Sequence, residues 1–371
     1  MARKRQTTRR QFLVGHSATE ALADLVTGLP PEAGPLAAGQ ERLKASRRSY
    51  VLEVRRSAMA CDWQVLLNAG QHADATEIAI EALDRVDALE EQLSIYRSHS
   101  EISRINHAAA CQPVKVEREL FALLQRAVAL SEQTGGAFDI TSTPLWKAWG
   151  FYRRAGRFPE PAEVRAALDK VGYRQLQLDA ESHTVRFARE GMELNLGAIG
   201  KGYALDSCAR LLEEAGVVNF LMHGGQSSIV GRGSRLQGDA QATTGWTIAL
   251  RHPLRQQERI GQIRLHDRAL GTSGSGQQYF HHAGRRYGHI LDPRTGYPAE
   301  GILSATVLTE SAADADALAT GLLVMGREAA CEFSRRRPEL GVLLICPGHR
   351  SGAIEILASG LTDQEWIPSV G

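Results

Sequence analysis

The sequence predicts a mixed α+β (α/β) domain built largely on antiparallel sheet, and three observations lead there. Leu176 and Leu178 alternate with polar residues, as do Val185 and Phe187 beyond a polar turn, which is the pattern of a β-hairpin. Residues 193–202 read as a strand opening into a glycine loop, followed by a helix over about 203–215. Short apolar runs at 246–251, 262–265, 304–308, 342–346 and 354–357 are further strands, and a helix over 312–325 follows the 304–308 strand. Hairpins mixed with strand–helix alternation favour antiparallel sheets with flanking helices.

Taken in order, residues 1–47 are Arg-rich and then rich in Pro, Gly and Ala, which suits a leader and flexible linker. Arg9, Arg10 and Phe12 resemble a twin-arginine start, but residues 14–29 carry His16, Glu20 and Asp24 where an apolar export segment belongs. The chain therefore points to the cytoplasm, with periplasmic export through a degenerate signal as the alternative. The domain is expected to run over 48–361, with a short tail at 362–371. Asp74 can cap a helix with Glu77 three residues on, since Ala82, Val86, Leu89 and Leu93 then follow at helical spacing. A second helix is expected over 117–134, stopping at Gly135 and Gly136. Residues 219–222 read as a strand closed by Gly224 and Gly225.

Composition narrows the function. The 371 residues hold 43 Lys plus Arg against 42 Asp plus Glu, so the massed positive charge of a nucleic-acid or anionic-membrane binder is missing. No stretch reaches the roughly 18 apolar residues of a membrane span. The five cysteines are odd in number and scattered, without a CxxC or Cys/His cluster, so neither a disulfide framework nor a zinc site is indicated. A small ligand or a protein partner is left.

Four segments carry chemistry. Residues 196–206 place Gly197, Gly200 and Gly202 before a helix N-terminus, with Lys201, one of six lysines, among them. Such a loop can hold a phosphate or simply make a tight strand-to-helix turn; it is neither a Walker A loop nor a GxGxxG fingerprint. Residues 269–280 form a second glycine and hydroxyl loop. They precede 285–298, where His289, Asp292 and Arg294 sit at a Pro/Gly turn and His289 can act as a base. Asp316 and Thr320 are four apart, so on a helix they share a face, and carboxylate plus hydroxyl oxygens suit Mg²⁺. Ser311 and Asp314 can instead be helix caps. Residues 135–151 combine a glycine turn, Asp139 and four aromatics that can wall a flat ring or fill a core, and Tyr96 has the same two readings.

In order and wording these segments resemble the ApbE family of FAD:protein FMN transferases, from about Ser57 to about Leu361. The resemblance rests on the Met59 segment, 93–106, 136–139, 194–206, 272–274, 289–298 and 315–320. It implies a two-lobed single catalytic domain that binds FAD and, with Mg²⁺, transfers FMN to a Thr or Ser of a partner flavoprotein, a membrane redox subunit being one candidate, with AMP released. It further implies Asp316, Thr320 and the Ala198 carbonyl as Mg²⁺ ligands and His289 as the catalytic residue. Met59, Tyr96, Ala137, Phe138, Asp139, Asn195, Lys201 and Ile290 are implied as FAD contacts. Asn195 stands where the family commonly has Asp, and His223 to Ser228 departs from the usual acid or amide after the double glycine. An FAD pyrophosphatase yielding FMN and AMP, or a non-catalytic flavin-binding protein, are the alternatives.

Overall fold

A computed structural model describes residues 50–236, 245–255, 257–274, 278–350 and 352–369. The expected leader, with its twin-arginine-like start, lies outside the described residues. Strands β1 (Val51–Ala58) and β2 (Cys61–Asn68) form a hairpin whose turn residues Met59 and Ala60 have φ of 48° and 59°. Helix α1 (Ala75–Leu93) starts at the expected place, but the Asp74 side chain makes no cap bond. That expectation is corrected: the helix is held by its apolar stripe, in which Ala79, Ala82, Leu83, Val86 and Leu89 are buried. In α2 (Glu101–Ala108) the cap does form, since Ser100 accepts from the Ser103 N–H at 3.0 Å. After β3 (Val114–Lys115), α3 (Arg118–Gln133) lies within a residue of expectation, and the Glu117 carboxylate accepts its first free N–H groups.

Helices α4 (Thr143–Ala148) and α5 (Pro161–Leu168) precede the expected hairpin of β4 (Leu176–Asp179) and β5 (Thr184–Phe187). Helix α6 (Gly200–Glu214) begins at Gly200 rather than 203, so the glycine loop is its first turn. Then follow β6 (Phe220–Gly224), β7 (Ser228–Arg232), β8 (Trp246–Arg251), β9 (Arg259–Leu265), β10 (Arg268–Gly274), β11 (Tyr279–His282), β12 (Arg285–Gly288) and β13 (Ser304–Thr309). The chain ends in α7 (Ala312–Met325), α8 (Arg327–Arg335), β14 (Gly341–Pro347), β15 (Ile354–Ser359) and β16 (Trp366–Pro368). Residues 362–371, expected as a tail, thus carry a strand, and β16 pairs with β9.

The centre is an eight-stranded antiparallel sheet in the order β1-β2-β6-β7-β10-β13-β14-β15. Its inner strands β2, β6, β7, β13 and β14 are buried on both faces over most of their length, whereas the edge strands β1 and β15 are only partly covered. Successive side chains alternate between two cores. Trp63, Val65, Phe220, Met222, Val230 and Ala269 pack with the helices. Leu66, Leu221, Ile229, Leu270 and Leu308 face Ile248, Ile263 and Leu265 of the small β16-β9-β8 sheet. A third cluster joins Leu145, Trp149, Phe151 and Val164 to Phe280 and Tyr287 of the β11–β12 hairpin.

Helix α7 is buried nearly all round, with Ala312, Ala313, Ala315, Asp316, Ala317 and Ala319 inside. Two glycines let it come so close. A Cβ on Gly202 would lie 2.0 Å from the Ala312 carbonyl oxygen, and one on Gly271 would lie 2.4 Å from the Ala315 carbonyl carbon. Its N-terminus receives Ser311 as a cap, as the sequence allowed, together with a group from outside the helix. The Asp206 carboxylate of α6 accepts from the Ala312 and Ala313 N–H groups (2.7 and 3.0 Å) and from Ser311. Asp314 turns outward to Arg126.

Candidate functional site

The close approach of α7 to β10 and α6 delivers Asp316 to the end of the central sheet. Its Oδ2 accepts from the Gly202 N–H (2.9 Å), and the Ser228 hydroxyl lies 2.7 and 2.8 Å from the two carboxylate oxygens. Burial pushes this carboxyl up, against the pull of Lys201 and the two donors. A buried carboxylate with no ion-pair partner costs several kcal/mol, and two donors offset only part of that. One turn on, Thr320 donates to the Asp316 carbonyl (3.1 Å), so Ser273 must donate to Thr320 at 2.8 Å, and a lone pair on Thr320 Oγ1 stays available.

The third oxygen is left over by the same arrangement. Gly202, whose N–H would return to Ala198 in a regular helix, gives it to Asp316 instead. Among the described residues no hydrogen bond reaches the Ala198 carbonyl. The Asp316 carboxylate, the Thr320 hydroxyl and the Ala198 carbonyl are hard oxygen donors, a set that fits Mg²⁺ chemistry. No cluster of three or more His, Cys, Asp or Glu offers a rival metal centre among the described residues.

For the glycine loop the tight-turn reading is the better one. The Gly197 N–H donates to Asn195 Oδ1 (2.8 Å), those of Ile199 and Gly200 to Leu196, and that of Gly202 to Asp316. These amides are spent within the turn and on Asp316 rather than offered to a phosphate. Lys201 keeps its side chain at the cavity wall, and its ammonium makes no ion pair among the described residues.

His289 reaches the site from another region. It directly follows β12, and both its N–H and its Nδ1 lie 3.1 Å from the Gln278 carbonyl, just before β11. A carbonyl only accepts, so the ring proton sits on Nδ1 and Nε2 presents a lone pair. The ring stands edge-on to Trp146 and Phe151, with centroids at 6.0 and 6.4 Å. Burial lowers its pKa, the Gln278 hydrogen bond opposing the shift, which keeps the imidazole neutral at physiological pH.

These groups share one cavity of about 530 Å³, within the size range of cofactor pockets. Of the residues singled out in the sequence, Ala137, Phe138, Asp139, Asn195, Ala198, Lys201, His289, Ile290, Asp316 and Thr320 line it. Met59 and Tyr96 do not. The Met59 N–H is held by Glu90, whose other oxygen binds Arg97 next to Tyr96, so one carboxylate ties the two segments together. Tyr96 is 62% exposed and packs on Tyr152, their centroids 5.3 Å apart. Asp139 lies at the wall, but its oxygens accept from Thr141 and the Tyr173 N–H, so it holds the 137–142 turn in shape.

Sequence reasoning did not single out Ser228, which orients Asp316, and read Trp146 only among the aromatics of 135–151, not as the ring that backs His289. It gave Asn106 no task, although its amide clamps both backbone groups of Leu194 (2.7 and 3.0 Å). A signal for Ser228 was present: in the alternation of β7 it falls on the same face as Val230, where a hydroxyl needs a partner. His223, noted only as a departure, proves to be buried against Gln64, its Nε2 3.0 Å from the amide oxygen, and burial pushes its pKa down to about 4.

Comparison with known proteins gives one family throughout. The ApbE family model matches residues 59–344. A FAD:protein FMN transferase of Klebsiella pneumoniae (strain 342) is 32% identical over 291 residues, spanning 78% of this chain and 88% of that protein. One of Treponema pallidum (strain Nichols) is 34% identical over 298 residues, 76% of this chain and 81% of that one. Among solved structures, the flavin transferase ApbE of Vibrio cholerae aligns with a TM-score of 0.73 at 28% identity, covering 84% of this chain and 97% of its own. The ApbE protein of Thermotoga maritima also aligns with a TM-score of 0.73, at 30% identity over 82% of this chain and 96% of its own.

Proposed function

The chain belongs to the ApbE family, and from that premise we propose that it is a Mg²⁺-dependent FAD:protein FMN transferase that joins FMN to a Thr or Ser of a partner flavoprotein and releases AMP. The observation that carries this reading is the meeting, in one cavity, of an oxygen-donor set at Asp316 and Thr320, the cation Lys201 and a neutral His289 with a free Nε2.

In the proposed reaction the acceptor hydroxyl oxygen attacks the phosphorus of the FMN half of FAD, and its proton passes to His289 Nε2. The new Oγ–P bond forms as the P–O bond to the AMP phosphate breaks, and AMP leaves with that electron pair. Lys201 meets part of the negative charge on the phosphoryl oxygens. Asp316, Thr320 and the Ala198 carbonyl would hold Mg²⁺, which when bound neutralises charge on the pyrophosphate. Trp146 and Phe151 fix the plane of the imidazole, and Gln278 fixes its tautomer. The flavin is proposed to lie along Ala137, Phe138, Asp139 and Ile290, with Asn195 beside it.

The test is incubation of the purified protein with FAD and Mg²⁺, with and without acceptor domains carrying candidate Thr or Ser sites, following AMP and acceptor mass. We expect the acceptor to gain the mass of FMN in step with AMP, and EDTA to abolish both. Free FMN with unmodified acceptor would identify a pyrophosphatase instead. FAD bound without any AMP would leave a flavin-binding protein.

A further inference from the structure

The hairpin that leads to His289 has an outer face that takes no part in the cavity. Strands β11 and β12 and the 151–158 loop are packed together through their rings. Phe280 lies against Trp149 and Phe151, with centroids at 6.2 and 5.7 Å, while Phe158 stacks on His282 at 4.6 Å and stands edge-on to Tyr287 at 5.2 Å. Phe158 and Tyr279 do not line the cavity and are 40% and 48% exposed, so two large rings are presented to water. The same face is positive. Residues 151–158 and 278–288 hold five arginines and no acid. Glu163 answers Arg157 and Glu300 answers Arg285, and Arg286 lies over the Tyr279 ring at 4.0 Å. Arg153 and Arg154 are exposed, and neither guanidinium makes an ion pair or hydrogen bond among the described residues. Arg154 has a φ of 54°, a left-handed conformation that is costly for a long side chain. Its N–H donates to the Phe151 carbonyl and that of Arg157 to the Trp149 carbonyl, both at 2.9 Å, so the loop is set before a partner arrives.

We propose that the 151–158 loop and the β11–β12 hairpin form the docking surface for the acceptor flavoprotein, taking an acidic segment beside the Thr or Ser to be modified. Arg153 and Arg154 meet its carboxylates, and its apolar side chains cover Phe158 and Tyr279. The choice of occupant rests on the transfer reading above and on continuity. His289 directly follows β12 and is bonded to Gln278 directly before β11, so a protein that brings a hydroxyl to Nε2 is set beside this face. Exposed aromatics interleaved with arginines are the composition of protein interfaces. The positive charge selects an acidic partner over a basic one by attraction and repulsion alike.

Two labelled peptides of equal length serve as probes, one with a Thr flanked by Asp and Leu, the other with Lys in place of every Asp. Their binding to the full chain with FAD and Mg²⁺ is read by fluorescence anisotropy at low salt, beside FMN transfer to the acceptor domains. We expect the acidic peptide to bind about tenfold or more tightly than the basic one, and less tightly as salt is added. Arg153→Gln combined with Arg154→Asn, where Asn tolerates the left-handed turn, should weaken the acidic peptide by about fivefold and leave FAD affinity within about twofold. Phe158→Ala should do the same. In transfer both variants should raise KM for the acceptor and leave kcat unchanged, whereas a merely structural role would lower kcat. Equal binding of the two peptides, binding of neither, or an acidic peptide indifferent to both variants overturns the proposal. So does a loss in the variants of FAD affinity, of self-association in sedimentation, or of binding to phosphatidylserine vesicles, since the face would then serve the nucleotide, a second copy or a membrane. Selective acidic-peptide binding without FMN transfer counts against the transferase reading and leaves the surface standing; transfer untouched by either variant does the reverse.

Discussion

The two halves of the candidate site are held in opposite ways. Around Asp316 every element is fixed: α7 packs backbone to backbone on Gly202 and Gly271, and Ser228, Gly202 and Ser273 orient the oxygens. His289 instead hangs from a two-stranded hairpin whose residues 281–286 are exposed, and it is positioned by one carbonyl and two aromatic edges. A cation site must have its oxygens in place beforehand, because a small hard ion tolerates little misplacement. In the proposed transfer, the base has to meet a hydroxyl on another protein and so must stand where that protein can reach it. Rigidity and access are thus divided between the interior and the rim.

Four changes would break or sharpen that contrast. The largest effect is expected from Asp316→Asn, which keeps the shape and an acceptor for Gly202 and Ser228 but removes the charge. Transfer should fall by roughly 10³-fold or more, and the rise in melting temperature on adding Mg²⁺ should vanish while the metal-free protein stays folded. A variant that still shows the Mg²⁺ shift would move the metal elsewhere. His289→Ala should lower the transfer rate by about 10²-fold or more and leave FAD affinity and the Mg²⁺ shift intact, since only the rim is touched. Unchanged transfer would remove His289 from the chemistry.

The pH profile tests the same group without mutation. Burial lowers the His289 pKa, so its neutral form persists below the ordinary value of 6.5 and is lost only as pH falls through the lowered one. The acidic limb of single-turnover transfer should therefore have its midpoint below pH 6.5, and a midpoint above that value would contradict the desolvated setting. The smallest change is expected from Ser228→Ala, where Mg²⁺ affinity, read by titration calorimetry, should weaken by about tenfold, as is usual when a ligand loses its orienting hydrogen bond. No change there would mean that Gly202 alone orients the carboxylate.

How much was legible follows the same division. Helix α7 and strand β8 appear in the sequence with the bounds the structure has, because α7 is an unbroken run of mostly helix-forming residues between Ser311 and Gly326 and β8 alternates Trp246, Ile248 and Leu250 with other residues. Asp316 and Thr320 were legible as a pair because i and i+4 share a helix face whatever the fold. The start of α6 was misplaced, since Gly200 and Gly202 look like loop until a neighbouring backbone shows why no side chain fits. Asp74 looked like a cap and is not, whereas Asp206, far away in sequence, caps α7. A cap supplied by another helix leaves no local pattern.

By itself the sequence determined the alternation of strands and helices, the chemistry of each candidate residue and the likeness to the ApbE family. All of these are properties of short segments and of their order. The tertiary structure decided which groups meet: that Asp316 lies under Ser228, that among the described residues the Ala198 carbonyl is left without a donor, and that Met59 and Tyr96 stand outside the cavity wall. The reason is that pairing and burial depend on distances between elements remote in sequence. Those distances are set by the packing of the sheet against α7 and β8 and not by any local propensity.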